Sequence, residues 1–180
     1  MSAGKDAVEY VVRAARSHDV EQLLDLLKQV AAEGRWIGTE APIDRVARRR
    51  QIRETIEGGD RAARFVADAG GDVVGNLGID LRSYNVADLG MVVSRQWRRR
   101  GVGSALMDAG LGWARSAGAH KVALQVWPHN HGALALYRKF GFVQEGLLRR
   151  HYPRRNGELW DAVVMGLVLD GDAPGSSWSE

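Results

Sequence analysis

The chain has 180 residues, 26% of them charged, and a formal net charge of +3. That length fits one domain with a real core, and the lack of any apolar run near roughly 18 residues excludes a membrane-spanning helix. Cysteine is absent, which excludes disulfides, thiolate metal sites and a cysteine nucleophile, and the opening Met1-Ser2-Ala3-Gly4-Lys5-Asp6 lacks the apolar stretch of a secretory signal. A reducing cytoplasm is the compatible location.

Tyr10-Val11-Val12-Arg13 reads as a first strand. Asp19 is placed to cap a helix, with Gln22 as its reciprocal partner and Val20, Leu23, Leu24, Leu27, Val30 and Ala31 as its apolar stripe. A turn from Glu33 to Glu40 follows. Pro42 suits the first turn of a second helix that ends before Gly58-Gly59. Residues 62–68 and 72–81 read as a strand pair joined at Gly70-Gly71, and 86–94 as the next strand. A third helix runs on from the Gly101 region to Gly118, with Val102, Ala105, Leu106, Ala109 and Trp113 on one face.

A strand over 120–127 ends at Pro128, Asn130 can cap a fourth helix, and Gly141 closes it. Residues 142–150 and 159–169 read as two strands around the hairpin signal Asn156-Gly157. This order predicts an α+β fold, a mixed sheet of about seven strands flanked by four helices. Residues 1–170 are expected to form one domain, and the Gly/Ser/Pro-rich residues 171–180 a loose tail.

The richest segment is Arg98-Arg99-Arg100-Gly101-Val102-Gly103-Ser104, between the apolar strand Leu89-Gly90-Met91-Val92-Val93 and the third helix. A helix start has backbone N–H groups with no partner inside the helix, and glycines let a phosphate approach them. Arginines beside it add charge-assisted hydrogen bonds. No Gly-Lys-Ser/Thr triplet occurs, so this is not a P-loop. The third glycine of a dinucleotide loop is replaced by Leu106, and the following strand carries Gln125 where that loop's partner strand would end in an acid.

The remaining pattern, Arg98-x-x-Gly101-x-Gly103, resembles the acetyl-CoA loop of the Gcn5-related N-acetyltransferase superfamily. The segment Asn130-His131-Gly132-Ala133-Leu134-Ala135-Leu136-Tyr137-Arg138-Lys139-Phe140-Gly141-Phe142 is similar to the same family's Asn-x-x-Ala-x-x-Leu-Tyr-x-x-x-Gly-Phe segment. The two occur in the family's order with one strand between them.

The resemblance implies the acyl-CoA N-acyltransferase fold and transfer of an acetyl group from acetyl-CoA to a primary amine by direct attack. It implies that Arg98, Arg99, Arg100, Gly101, Val102, Gly103 and Ser104 hold the pyrophosphate. It also implies that the main chain of Met91, Val92 and Val93 faces the pantetheine arm, that Asn130 bonds it, and that Tyr137 protonates the leaving thiolate. Arg138 and Lys139 are within range of the CoA 3′-phosphate or form an exposed helix face. A longer acyl chain, or a CoA-binding domain without catalysis, are the alternatives.

Relatives that modify ribosomal protein N-termini often carry a glutamate where this chain has Gln125, which cannot take a proton. Asp80, Asp88 and Glu40 are the other candidate bases, acting through water. For the acceptor pocket, Trp36, Glu40, Asp88, Tyr152 and Asp161 are the candidates, because a carboxylate with aromatic walls suits a cationic amine. The acceptor is expected to be a small-molecule or protein amine, and a homodimer is one open expectation. His129-x-His131 lacks a carboxylate at metal spacing, so no metal is expected. The runs Arg48-Arg49-Arg50, Arg149-Arg150 and Arg154-Arg155 read as solvated faces and not as a nucleic-acid surface.

Overall fold

Seven strands and four α-helices follow one another in the expected order in a computed structural model that describes residues 9–169. They are β1 (Val11–Ala14), α1 (Val20–Ala32), α2 (Arg45–Ile56), β2 (Ala62–Ala69), β3 (Asp72–Leu81), β4 (Val86–Val93), α3 (Val102–Ser116), β5 (Lys121–Val126), α4 (His131–Lys139), β6 (Val143–Pro153) and β7 (Leu159–Val168). The tail expected over 171–180 lies outside the described residues. No helix among the described residues is long and apolar enough to cross a membrane.

The strands form one sheet in the order β1-β2-β3-β4-β5-β7-β6. Every neighbouring pair is antiparallel except β4 and β5, which the α3 crossover makes parallel. Successive strand residues point to opposite faces, so each face carries its own core. On one, Leu77, Ile79, Leu106, Met107, Leu124 and Met165 are fully buried beneath α3 and α4. On the other, Val66, Val73 and Ile52 pack with Leu23, Leu24 and Val30 of α1.

Three local expectations are corrected. Gln22 does not close a capping box at α1: its side chain accepts from Val73 N at 2.8 Å and donates to Gly71 O at 3.0 Å, fastening the helix to the β2–β3 turn. α2 starts at Arg45 and not at Pro42, because the Asp44 side chain accepts from Ala47 N at 3.0 Å and satisfies a first-turn amide. The buried face of α3 is Val102, Leu106, Met107, Gly110, Leu111 and Ala114, rotated from the expected stripe. The cause is Gly110, where an added Cβ would sit 2.9 Å from Leu77 Cδ2; the helix touches the sheet through a glycine that an apolar stripe ignores.

Asp19 is spent elsewhere. Both its oxygens accept from the Arg13 guanidinium at 2.8 Å, and Oδ2 also accepts from Arg16 N at 2.7 Å. Arg13 holds the Asp19 carboxyl below the usual carboxylate range. Its folded value is depressed, so the stabilisation is complete above the unfolded value of about 4 and is lost as pH falls through the folded one. Asp19→Asn is therefore expected to lower stability at pH 7 by about 3 kcal/mol. The gap to wild type should narrow below about pH 4 in urea titrations. A gap that does not vary with pH would show that the ion pair is not its source.

Candidate functional site

The sheet opens between its two parallel strands. β4 and β5 are in register only as far as Asp88 opposite Ala123. Beyond that point Leu124, Gln125 and Val126 pair with β7 alone, and Leu89–Val93 pair with β3 alone. Ser94 N donates to Val74 O at 2.9 Å, which fixes the alternation along β4. Even-numbered residues direct their main chain to β3, and Met91 and Val93 direct theirs to the wedge. Val93 O there accepts from Arg98 Nε at 3.0 Å. The main chain of Val92 is turned toward β3, so of the three expected to face the pantetheine arm only Met91 and Val93 have amides on the open edge.

The glycine loop closes one end of the wedge. Gly101 is the N-cap of α3 at φ 84°, a left-handed conformation that favours glycine, and no side chain caps the helix. Ala105 N returns to Gly101 O at 3.0 Å, so the amides of Val102, Gly103 and Ser104 precede the first intrahelical bond. Gly103 faces α4 closely: an added Cβ would lie 3.1 Å from Leu136 Cδ2. Gly101, Gly103, Ser104 and Arg99 line the cavity, whereas the Val102 side chain is buried in the core. Lys139 Nζ donates to Ser104 Oγ at 3.4 Å.

Two of the three arginines are engaged within the protein. Arg98 donates through Nη1 to Glu33 Oε2 at 2.8 Å and through Nη2 to Oε1 at 2.5 Å, which holds the Glu33 carboxyl below its ordinary range. Trp36 Nε1 donates to the same Glu33 at 2.7 Å, and Arg98 lies 5.7 Å from the Trp36 ring centroid. Arg100 stacks 5.3 Å from the Trp97 centroid and is not part of the cavity wall.

α4 supplies the opposite wall. Asn130 Oδ1 accepts from Ala133 N at 3.2 Å, the expected N-cap, and the residue faces the cavity. Tyr137 is 6% exposed, with its ring 5.8 Å from that of Phe142. Burial pushes its phenol up to about 12, so the proton stays on oxygen at neutral pH. The cavity between these walls measures about 1050 Å³.

Its far half differs from the expected acceptor pocket. Trp36 and Tyr152 do line it, and the Tyr152 hydroxyl donates to Gln125 Oε1. Glu40, Asp88 and Asp161 do not. Glu40 accepts from Arg155 N at 3.1 Å and pairs with Arg154 at 3.5 Å. Asp161 accepts from Arg150 N at 2.6 Å. Asp88 pairs with Arg82 at 3.6 Å, and burial raises its carboxyl. Of the expected carboxylates only Asp80 lines the cavity, together with two arginines, Arg48 and Arg64, neither foreseen from the sequence. A period-two reading would have found Arg64, since it shares a strand face with the buried Val66. Among the described residues no three His, Asp or Glu side chains stand close enough to hold a metal.

Comparison with known proteins agrees with this geometry. The model of the acetyltransferase (GNAT) family matches residues 33–142. The L-amino acid N-acetyltransferase AaaT of Escherichia coli (strain K12) is 34% identical over 168 residues, covering 89% of this chain and 98% of the relative. An N-alpha-acetyltransferase of Sulfurisphaera tokodaii is 32% identical over 180 residues, covering 92% and 96%. Among solved structures, a GNAT superfamily phosphinothricin acetyltransferase from Sinorhizobium meliloti in complex with acetyl-CoA has the same fold. It superposes with a TM-score of 0.78 at 19% identity, covering 93% of this chain and 94% of that one.

Proposed function

The chain belongs to the acetyltransferase (GNAT) family and moves an acetyl group from acetyl-CoA to an amine; we propose that the amine is that of a small molecule and that the β4–β5 wedge receives the donor. The wedge fits that group. It offers an open strand edge for an amide-bearing arm and three first-turn amides for a pyrophosphate, with Gly101 and Gly103 leaving the approach open.

Bound there, acetyl-CoA supplies an activated acetyl group and a thiol leaving group. The Met91 and Val93 amides, fixed on a rigid strand, donate to the arm and polarise a carbonyl without reorganising. The amides of Val102, Gly103 and Ser104, with Arg99, hold the phosphates. Arg98 acts indirectly, tying the loop to Glu33 at the end of α1. Asn130 stiffens the start of α4 and faces the arm. Tyr137, whose phenol burial pushes up to about 12, keeps its proton at neutral pH and gives it to the departing sulfur. Gln125 offers no base; of the other candidates Asp80 alone lines the cavity, paired with Arg82, and takes the amine's proton through water unless the amine arrives neutral.

The observation that carries the small-molecule reading is Gln125, bound to the Tyr152 hydroxyl where protein-modifying relatives often have a glutamate. The similarity to an amino acid acetyltransferase over 98% of that relative's length supports it. The cysteine-free sequence suits the cytoplasm, where we place the protein.

Acetyl-CoA is expected to raise the melting temperature, since a ligand of the folded state alone stabilises it by about 2.7 kcal/mol at a hundred times its Kd. No shift with either acetyl-CoA or desulfo-CoA would contradict the site. Thiol release should then follow addition of small amines from a mixed panel. Turnover of peptide N-termini alone would overturn the small-molecule acceptor.

A further inference from the structure

Three strands meet beneath the acceptor half of the cavity, two of them floored by glycine. Arg64 of β2 is in register with Gly78 of β3, and Gly78 with Gly90 of β4. Residues in register share a face, and this is the α1–α2 face. The Arg64 side chain lies across Gly78: an added Cβ there would sit 2.9 Å from Arg64 Nη2. Around Gly90 a Cβ would meet nothing within 4 Å. The result is a trough with a guanidinium at one end and the open edge of β4 at the other.

That guanidinium has only neutral partners. Its Nε donates to Thr55 Oγ1 at 2.8 Å and its Nη1 to Asn76 Oδ1 at 2.9 Å. Asp80, on the same face of β3, lines the cavity and favours the charged form of Arg64 through space, but its direct ion pair is with Arg82 at 2.7 Å, and Asp88 of β4 also pairs with Arg82. Arg48 of α2 lines the same wall and is likewise held by neutral groups, Gln51 Oε1 and Thr39 Oγ1, each at 2.9 Å. Burial pulls Arg64 down to about 10, which leaves it charged at neutral pH. A charge held in a cavity with no direct ion pair is costly, and a planar fork of donors matches a carboxylate in two parallel bonds.

We infer that Arg64 binds a carboxylate of the acceptor, so that the substrates are amino-carboxylic acids whose amine reaches the open edge of β4. The dimensions agree. Gly78 and Gly90 are one strand spacing apart, about 4.8 Å, and a carboxylate hydrogen bond adds about 2.8 Å. An amine one or two carbons from its carboxylate is on that scale. Arg48 adds positive potential to the same wall. This rests on the small-molecule reading above and goes beyond it by naming the group that is recognised.

The test compares free L-amino acids with their amides in a thiol-release assay at saturating acetyl-CoA. The amide has the less basic amine, so intrinsic reactivity favours it. Wild type is nonetheless expected to prefer the acids by about 10- to 100-fold in kcat/KM, the worth of a hydrogen bond to a charged group. Arg64→Gln should collapse that preference to within about threefold by raising KM for the acids, with the KM for acetyl-CoA unchanged. Arg64→Lys should retain part of it, because the charge stays while the fork is lost.

Gly78→Ala keeps the charge and displaces the guanidinium, and it should lose the preference too; it decides the matter if Arg64→Gln does not fold. A brace holding α2 through Thr55 would alter stability and leave the acid-to-amide ratio alone. A ratio unchanged in a folded variant, or a wild type that acetylates amides as well as acids, would overturn the carboxylate subsite while leaving the small-molecule reading standing. A wild type that acetylates peptide N-termini and no free amine would overturn both.

Discussion

Replacing Tyr137 by phenylalanine should lower turnover by roughly 10² or more while leaving the fold and the affinity for acetyl-CoA close to wild type. The ring stays packed on Phe142, so only the hydroxyl is removed. A proton donor helps chiefly in the transition state, when the sulfur leaves with its electron pair, so kcat and kcat/KM for the donor should fall together. Burial pushes the phenol up to about 12, so the alkaline limb should lie far above neutral pH and turnover should not decline through loss of this proton below about pH 10. Turnover within a few-fold of wild type, with a working amine, would make Tyr137 a core aromatic and move the proton donor to solvent.

Gly103→Val should weaken acetyl-CoA binding by at least about tenfold, or about 1.4 kcal/mol. A branched side chain at the second position of α3 would stand over the first-turn amides and keep a phosphate from them. It would also press on Leu136, whose Cδ2 would lie 3.1 Å from the new Cβ, so a small fall in melting temperature accompanies it. Gly112, on the same helix, has open space around it, and Gly112→Ala is the matched control. It should leave affinity unchanged and stabilise the helix by about 0.5–1 kcal/mol. Isothermal titration separates the two effects. Equal affinities for Gly103→Val and wild type would make the loop structural.

Element order was legible because the punctuation is local. Gly70-Gly71, Gly118, Asn130, Gly141 and Asn156-Gly157 each set a boundary through their own backbone preferences. Where the reading slipped, a partner distant in sequence had intervened. Gln22 leaves its own helix for Val73, 51 residues on; Asp19 is taken by a nearer partner, Arg13, which lies outside its helix.

The site divides the same way. The glycine loop and the α4 segment are contiguous, so their residues could be read together. The acceptor wall is assembled from α2, β2, β3 and the β6–β7 hairpin, and no short window contains it. Glu40 looked available because the Arg155 amide that occupies it is 115 residues away, and Asp161 because its partner, the Arg150 amide, comes across the β6–β7 hairpin. Arg98 looked free for a phosphate because Glu33 is 65 residues away. Alternation along β2 puts Arg64 on the inward face with Val66, but the room for its guanidinium comes from the glycine opposite it on β3.

The location of the donor in the β4–β5 wedge is tested most directly by residue-resolved amide hydrogen exchange with and without acetyl-CoA. Hydrogen-bonded amides exchange slowly and open ones quickly, so a new partner registers at the residue that gains it. Acetyl-CoA is expected to slow exchange at Met91, Val93 and the run Val102, Gly103 and Ser104, with Val92, whose main chain is turned toward β3, changing least. Unchanged exchange at Met91 and Val93 under saturating acetyl-CoA, with protection gained elsewhere, would contradict it.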